Sequence, residues 1–305
     1  MPKPHTLFEV TCRTVQGRYL LRPSKTLNDL VLGVIGRALT RHPVRLYLFV
    51  VTSNHMHLIL SAPDTQTLAR FMGFVNSNIA REAGRMHGWR EKFWGRRYTA
   101  IPILDTASLI GRVRYILAHG CKEGLVRRPG DWPGAHCVDA LTNGEKLQGT
   151  WVDRTQIHLK DRKNKSYDIK DFMIAHEVCL APLPCFETLC EQDRRQRWRE
   201  IVADIEKDTA VALQKEKVRG RHAIVSQNPH GRPAMPKRSP RPLCHVSDQA
   251  MYRLYREGYR LFVSLYRLAH ERLRSGDMDA LSLFPPDCYI PPFAYQTSPS
   301  LLNPG

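Results

Sequence analysis

The seven-residue run 54–60, Asn-His-Met-His-Leu-Ile-Leu, constrains the fold of this chain more than any other segment. Successive side chains of a β-strand point to opposite faces, so His55 and His57 would share one face, about 6–7 Å apart. Met56 and Leu58 would point the other way, into a core. The run therefore predicts a strand whose polar face can hold a divalent metal ion. Two histidines on the open face of a half-buried sheet would give the same pattern.

The surrounding sequence predicts a β-α-β-β-α-β order. Further strands are expected over residues 7–15, 44–51 and 98–104, which are rich in β-branched, aromatic and other apolar residues. Apolar residues at helical spacing predict one helix after Thr26, its expected N-cap, and a second from Asp64 or Thr65 that ends before the loop 86–94. This order is typical of the ferredoxin-like α+β fold, with an antiparallel sheet, two helices on one face and the His pair on the other.

A third helix is predicted to begin after Asp105 as N-cap, to run to Ala118 or His119, and to be closed by Gly120. Its apolar residues share one face at 3.6 residues per turn. The opposite face carries Ser108, Arg112, Tyr115 and His119. A tyrosine on the polar face of an amphipathic helix, one turn from a histidine, is not a core tyrosine by its pattern.

The charge of the chain is strongly positive and localised. The net charge is +17; residues 1–150 hold 21 Lys and Arg against 10 Asp and Glu, and residues 215–241 hold 8 against 1. A localised positive field indicates a polyanionic partner, most often nucleic acid. A generally basic protein with no such partner is the alternative reading.

Other features of the composition bear on location. No apolar run approaches the roughly 20 residues of a membrane span, and residues 1–5 lack the apolar stretch of a signal peptide. We therefore expect a cytoplasmic protein with no membrane partner. Its eight cysteines are then expected to be reduced.

The second half of the chain gives a weaker signal. We expect a helical or irregular extension over 151–227, with a polar helix over 192–217, and a basic Pro-rich linker over 228–246. A long helix with an aromatic stripe follows from Ser247 to Arg274, and a Pro-rich tail begins at Phe284. Together with a first domain over 1–150, this divides the chain into four parts, the last being 247–305.

The polar residues of the first domain suggest one chemistry. A tyrosine hydroxyl can attack a phosphodiester and form a covalent phosphotyrosine. A divalent ion held by His55 and His57 would polarise the scissile phosphate. His119 would supply a third ligand while Tyr115 reaches the same phosphate, and Arg112 would hold a phosphate oxygen.

This arrangement resembles the HUH single-strand DNA transposases of the IS200/IS605 type, and most closely the REP-associated tyrosine transposases. The resemblance covers roughly residues 5–140. It is carried by the segment 52–60 (Thr-Ser-Asn-His-Met-His-Leu-Ile-Leu), by 93–98 (Phe-Trp-Gly-Arg-Arg-Tyr), and by Tyr115-Ile116 with the following Gly124-Leu125-Val126.

The resemblance implies a ferredoxin-like sheet with an added catalytic helix and a mainly helical C-terminal extension. It implies cleavage and rejoining of single-stranded DNA near hairpins, with Mg²⁺ or Mn²⁺, a 5′-phosphotyrosine intermediate and a free 3′-OH. Carried over to this chain, His55 and His57 are metal ligands and Tyr115 is the nucleophile. His119-Gly120 stands where the family usually has Asn-Pro, so His119 is a ligand, a base or neither.

Other readings remain open at this stage. One is a non-catalytic, domesticated hairpin DNA-binding protein, against which the intact His55, His57 and Tyr115 argue. Another is a zinc site, although its ligand spacing is unusual; its candidate ligands are His176, Cys179, Cys185 and Cys190. A homodimer is compatible with the sequence.

The segment 89–97 mixes aromatic and basic side chains. Base stacking beside phosphate contacts, with Trp94, Lys92, Arg96 and Arg97 binding DNA, is one interpretation. A loop that caps the sheet with its aromatic residues is the other.

Overall fold

A computed structural model describes residues 5–163, 166–214, 216–234, 241–286 and 288–290. These residues divide into two compact units, one within 2–252 and one within 253–305. The features predicted for residues 1–4, 235–240 and 291–305, which include the middle of the basic linker and most of the Pro-rich tail, lie outside the described residues. The four-part division of the chain stays a prediction.

The predicted order of strands and helices is present in the first unit. It consists of β1 (Leu7–Arg13), α1 (Lys25–Arg41), β2 (Arg45–Val51), β3 (His55–Ser61), α2 (Thr65–His87) and β4 (Thr99–Ile103). Within the described residues these strands form an antiparallel sheet in the order β2-β3-β1-β4. This is the ferredoxin-like arrangement, so the predicted fold class is confirmed.

One face of this sheet is apolar and lies under the two helices. Val10, Cys12, Met56 and Leu58 are each no more than 1% exposed, and β1 and β3 place them side by side, with Cys12 opposite Met56. Asn76 of α2 bonds to Cys12, and α1 packs beside α2. Both helices therefore cover this face, as the alternation of the strands predicts.

Helix ends differ from the prediction in two places. The N-cap of α1 is Ser24 rather than Thr26, because the Ser24 hydroxyl accepts the Leu27 N–H at 3.1 Å and the helix already includes residues 25 and 26. α2 begins at Thr65, one of the two predicted starts, and Asp64 is its N-cap, accepting the Thr67 N–H. That helix continues to His87, so the predicted loop 86–94 begins two residues later.

The third helix, α3 (Thr106–Leu117), begins after Asp105 as predicted but ends before His119. A short helix, α4 (His119–Lys122), follows and contains Gly120. The prediction that Gly120 closes α3 is wrong. Gly120 instead allows α4 to pack closely on Val126 and Trp132, because a Cβ at this position would lie 3.0 Å from Val126 and 3.1 Å from Trp132.

The chain after α4 is mainly helical, as expected, but it also contains strands that the sequence did not predict. Its elements are α5 (Val138–Asn143), β5 (Gln148–Val152), α6 (Arg154–Asp161), β6 (Met173–Glu177), α7 (Glu191–Leu213) and α8 (Gly220–Val225). β5 and β6 pair as an antiparallel ribbon that packs on α1. Gly33 of α1 allows this approach, because a Cβ there would overlap the backbone of Thr150.

The last long helix, α9 (Gln249–Arg274), begins two residues after the predicted start. In the unit beyond residue 252, its Ala269 and Leu273 are buried against Ala280 and Phe284. Leu254 and Leu261 of the same helix are 71% and 62% exposed.

No helix in the described part of the chain is long and apolar enough to cross a membrane. The cytoplasmic location stays a prediction.

Candidate functional site

Three histidines meet on the face of the sheet opposite α1 and α2. His55 and His57 come from β3, and His119 comes from the start of α4. The ring of His119 lies 4.6 Å from that of His55 and 5.2 Å from that of His57, between centroids. One ligand nitrogen from each ring lies within 4.8 Å of the others. The start of α4 and the sheet thus bring together the three predicted ligands.

The hydrogen bonds of His57 direct one of its nitrogens into this cluster. Its Nδ1 lies 3.1 Å from Oε1 of Glu9, and because a carboxylate only accepts, Nδ1 must carry the proton. Its Nε2 is then a lone-pair donor; it is buried and makes no hydrogen bond with any residue that the structure describes. A histidine held by a carboxylate in this way has the usual geometry of a metal ligand.

His55 is also oriented by hydrogen bonds at its Nδ1. Its Nδ1 lies 2.9 Å from the Thr52 hydroxyl and 2.6 Å from Oδ1 of Asn54. Burial, followed by the nearby His57 and His119, lowers the pKa of His55 well below its ordinary value. The ring is therefore neutral at pH 7, which is the form that binds a metal.

These observations fit a divalent metal ion. A buried nitrogen without a hydrogen-bond partner, two rings oriented by second partners, and a third imidazole at ligand distance are what such an ion requires. Imidazole nitrogen binds first-row transition metal ions, Mn²⁺ among them, more readily than Mg²⁺, which prefers oxygen. The donor set on its own therefore favours Mn²⁺ over Mg²⁺; the identity of the metal stays a prediction.

Tyr115 lies beside the three histidines. It is half-buried on α3, and its ring centroid is 6.1 Å from that of His57 and 6.0 Å from that of His119. The guanidinium of Arg112 lies 3.9 Å from the ring centroid and Nζ of Lys122 lies 4.7 Å from it. Two cations thus flank the tyrosine at the point where an anionic substrate would approach.

Arg112 is engaged differently from the prediction that it holds a phosphate. Its Nε donates to Oε2 of Glu9 at 2.6 Å, and its Nη2 donates to Oε1 at 2.8 Å. This bidentate pair connects α3 to β1 directly beside His57. A phosphate contact by Arg112 stays a prediction, but its observed partner is a carboxylate of this chain.

Glu9 was missed by the reasoning from sequence. Its side chain is 3% exposed, and it shares a face with Thr11, which lies opposite His57 in the register. Burial by itself raises the pKa of Glu9, but contacts from His245, His57 and Arg112 outweigh burial and hold the pKa well below its ordinary value. The signal that was available is a single acid within the apolar run 7–10, two residues from Thr11 on the same face as the predicted ligands.

A segment from the far end of the first unit also reaches the site. Residues 243–247, which we name the strap, lie along the edge strand β4, where the His245 N–H donates to the Pro102 carbonyl at 2.8 Å and the Leu104 N–H donates to the His245 carbonyl at 2.9 Å. Nε2 of His245 lies 2.8 Å from Oε2 of Glu9, a close contact whose angle is not that of a hydrogen bond within the described residues.

The predicted DNA-binding loop divides into inward and outward residues. Phe93 is 6% exposed and belongs to the core, and Nε1 of Trp94 donates to the Asn76 carbonyl at 2.9 Å, so these rings do cap the sheet. Lys92, Arg96 and Arg97 are exposed. They line a cavity of about 470 Å³ against α2, and DNA binding by this loop stays a prediction.

A second cavity lies at Tyr115 itself. It has a volume of about 370 Å³ and lies between α3 and α7. Arg114, also in its lining, pairs with Asp204 and Asp208 of α7 at 2.6 and 2.9 Å. The extension thus builds one wall of the space beside the tyrosine.

The alternative zinc site is not assembled. Among the described residues, His55, His57 and His119 form the cluster of three metal-ligating side chains within reach of one another. His176 lies on β6, and Cys190 is the N-cap of α7, where its thiol accepts the Asp193 N–H.

Comparison with known proteins agrees with this geometry. Residues 17–119 match the model of a protein family described as transposase IS200 like. The match includes His55, His57, Tyr115 and His119, but it leaves out Glu9 and the strap. No curated protein is significantly similar to the chain.

Two solved structures resemble parts of the chain. One is a REP-associated tyrosine transposase bound to a REP hairpin, with 18% identity and a TM-score of 0.38 over 59% of this chain and 96% of that one. The other is a candidate transposase from Deinococcus radiodurans R1, with 15% identity and a TM-score of 0.28 over 37% of this chain and 88% of that one. These likenesses are weak, and the family match is the stronger finding: residues 17–119 are similar to the IS200-like transposases, the family that the His-x-His strand resembles.

Proposed function

We propose that this protein is a metal-dependent single-stranded DNA transposase or endonuclease of the one-tyrosine HUH type. The observation that carries the proposal is the convergence of three imidazoles from β3 and α4 beside Tyr115 of α3. Its substrate is single-stranded DNA near a hairpin, as the resemblance of the His-x-His strand and the Tyr115 helix to the IS200-like transposases implies.

Tyr115 is the nucleophile. Its hydroxyl oxygen attacks a phosphorus of the DNA backbone, an O–P bond forms, and the bond from phosphorus to the 3′-oxygen breaks. The proton of the hydroxyl leaves, and the 3′-oxygen departs and becomes a 3′-OH. The product is a 5′-phosphotyrosine, which the same 3′-OH or another can attack to rejoin the strand.

The other residues prepare this step. His55, His57 and His119 would hold Mg²⁺ or Mn²⁺, which supplies charge neutralisation at the phosphate when it is bound. Glu9 keeps His57 in the tautomer with a free Nε2. Lys122, 4.7 Å from the Tyr115 ring, adds positive charge where a phosphate would enter.

A covalent-trapping gel tests the proposal. Purified protein is incubated with labelled single-stranded hairpin DNA in Mn²⁺ or in EDTA. We expect a protein–DNA adduct that needs Mn²⁺ and that Tyr115→Phe abolishes. Tyr167→Phe is the matched control, because Tyr167 bonds Asp161 on the extension and should leave the adduct unchanged. DNA binding without an adduct across several hairpins would instead indicate the non-catalytic hairpin binder.

The DNA contact of the loop 92–97 has its own test. Arg96→Ala combined with Arg97→Ala should weaken hairpin binding and reduce its salt dependence, because each lost phosphate contact lowers the slope of log K against log salt by about 0.7–0.9. The measurement is the binding constant at several salt concentrations. An unchanged slope would remove these arginines from the DNA interface.

A further inference from the structure

We propose that the strap, through His245, is a positioning element of the metal and tyrosine site, although it lies more than a hundred residues beyond the matched segment 17–119. His245 holds the Glu9 carboxylate in the position from which Glu9 orients His57. This inference rests on the proposed function, and it assigns a role in that function to the C-terminal part of the first unit.

The Glu9 carboxylate has three side chains around it. Oε1 faces His57 and Nη2 of Arg112, and Oε2 faces Nε of Arg112 and Nε2 of His245. The bidentate pair with Arg112 sets the plane of the carboxylate from α3. His245 adds a contact to Oε2 from the segment paired with β4, so that the carboxylate is held from two elements in the position from which it orients His57. At 3% exposure, water cannot take over this task.

The strap is itself held rigidly. Both the N–H and the carbonyl of His245 are hydrogen-bonded along β4, at Pro102 and at Leu104 just beyond its end. β4 is the edge strand next to β1. The side chain of His245 is 12% exposed. The position of the ring is therefore set by sheet geometry rather than by a free loop.

A second contact ties the same segment to the tyrosine helix. The Ser247 N–H donates to Oδ2 of Asp105 at 2.6 Å, while Oδ1 of Asp105 accepts the Ser108 N–H at 2.7 Å and caps α3. One short segment thus contacts the N-terminus of the helix that carries Tyr115 and the carboxylate that orients His57. Arg112, on the same helix, completes the connection by binding Glu9.

The test is the affinity for Mn²⁺, measured by titration calorimetry on the full chain without DNA. We expect His245→Ala to weaken Mn²⁺ binding about tenfold, as loss of an outer partner of a metal ligand does. His245→Gln should recover most of the affinity, because its amide N–H can reach Glu9 from a side chain of similar length. His158→Ala is the matched control, because His158 is exposed on α6 and should bind Mn²⁺ as the unchanged protein does.

The outcomes separate this inference from the proposed function. Binding by His245→Ala equal to that of the unchanged protein overturns the role of the strap but leaves the metal site intact. Equal weakening by Ala and Gln also overturns it, because the contact with Glu9 would not be the cause. Absence of Mn²⁺ binding in the unchanged protein overturns both. If His245→Ala fails to fold, as judged by its thermal transition, His245→Phe takes its place, because a phenyl ring fills the same space but offers no N–H to Glu9; unchanged Mn²⁺ affinity in His245→Phe overturns the role of the strap.

Discussion

The two faces of the central sheet are built from the same strands but differ in what their buried side chains require. In β3, Met56 and Leu58 point under α1 and α2, and each is 1% exposed. His55 and His57 alternate with them, point under α3, and are nearly as buried, at 5% and 6%. Apolar side chains need only to be covered and packed, whereas buried imidazoles need hydrogen-bond partners of fixed direction.

This difference determines where the supporting residues come from. The apolar face is covered by α1 and α2, which end within thirty residues of β1 and β3 respectively. The polar face takes its partners from β1, from α3 and α4, and from the strap. A polar network is therefore more sensitive to the path of the whole chain than a core is, because each unsatisfied group carries its own desolvation cost.

The largest effects should appear when the neighbours His57 and Leu58 are changed separately. Leu58→Ala should lower the free energy of unfolding by about 2–5 kcal/mol through loss of buried surface and formation of a cavity. His57→Ala should change stability much less and weaken Mn²⁺ binding more than the about 10–100-fold expected for an outer partner. Chemical denaturation without metal and Mn²⁺ calorimetry measure the two quantities. A large loss of stability in His57→Ala would show that both faces serve the core alike.

The next effect concerns two buried carboxylates, Glu9 on the polar face and Glu82 of α2. Each is bound by an arginine in bidentate fashion, Glu9 by Arg112 and Glu82 by Arg154. Glu9→Gln should lower the free energy of unfolding by about 1–3 kcal/mol, because it removes the charge of a buried carboxylate from its pair with the half-buried Arg112.

Glu82→Gln is the matched control for this change. It should also destabilise the fold, but Mn²⁺ binding should fall only in Glu9→Gln, by about 10–100-fold. Equal Mn²⁺ affinity in the two variants would contradict the role of Glu9 as the orienting partner of His57.

The smallest effect is expected when the N-cap residues of α2 and α3 are replaced separately. Asp64 caps α2 and Asp105 caps α3, each through a backbone N–H of the first turn. Replacement of either by Ala should cost about 1 kcal/mol of stability. Only Asp105→Ala should also reduce adduct formation, because only α3 carries Tyr115. Thermal unfolding and the trapping gel would measure this, and equal adduct yields would mean that the start of α3 does not position the tyrosine.

The extent to which the site could be predicted follows from these particulars. His55, His57 and Tyr115 were found because strand alternation and helix periodicity are local properties of the sequence. His119 was also found, but as part of one continuous helix, whereas it begins a separate short helix. Close packing of Gly120 against Trp132 accompanies this break, and that contact cannot be deduced from the local pattern.

Two further interactions could not be predicted from the pattern of neighbouring residues. Arg112 shares a helix face with Tyr115, which suggested a phosphate ligand, but its partner Glu9 lies 103 residues earlier in the chain. His245 follows a Pro-rich basic stretch whose composition indicates a linker, and its position depends on pairing with the edge of β4. Neither contact follows from composition or spacing.

The sequence by itself determined the ferredoxin-like order of elements, the apolar face of the sheet, and which histidines and tyrosine are candidates for the site on the other face. The physical reason is that periodicity, turn residues and helix caps act over a few neighbouring positions. Only the tertiary structure decided how the polar face is satisfied. Its network joins Glu9, His57, Arg112 and His245, and the directions of these bonds are set where distant segments meet.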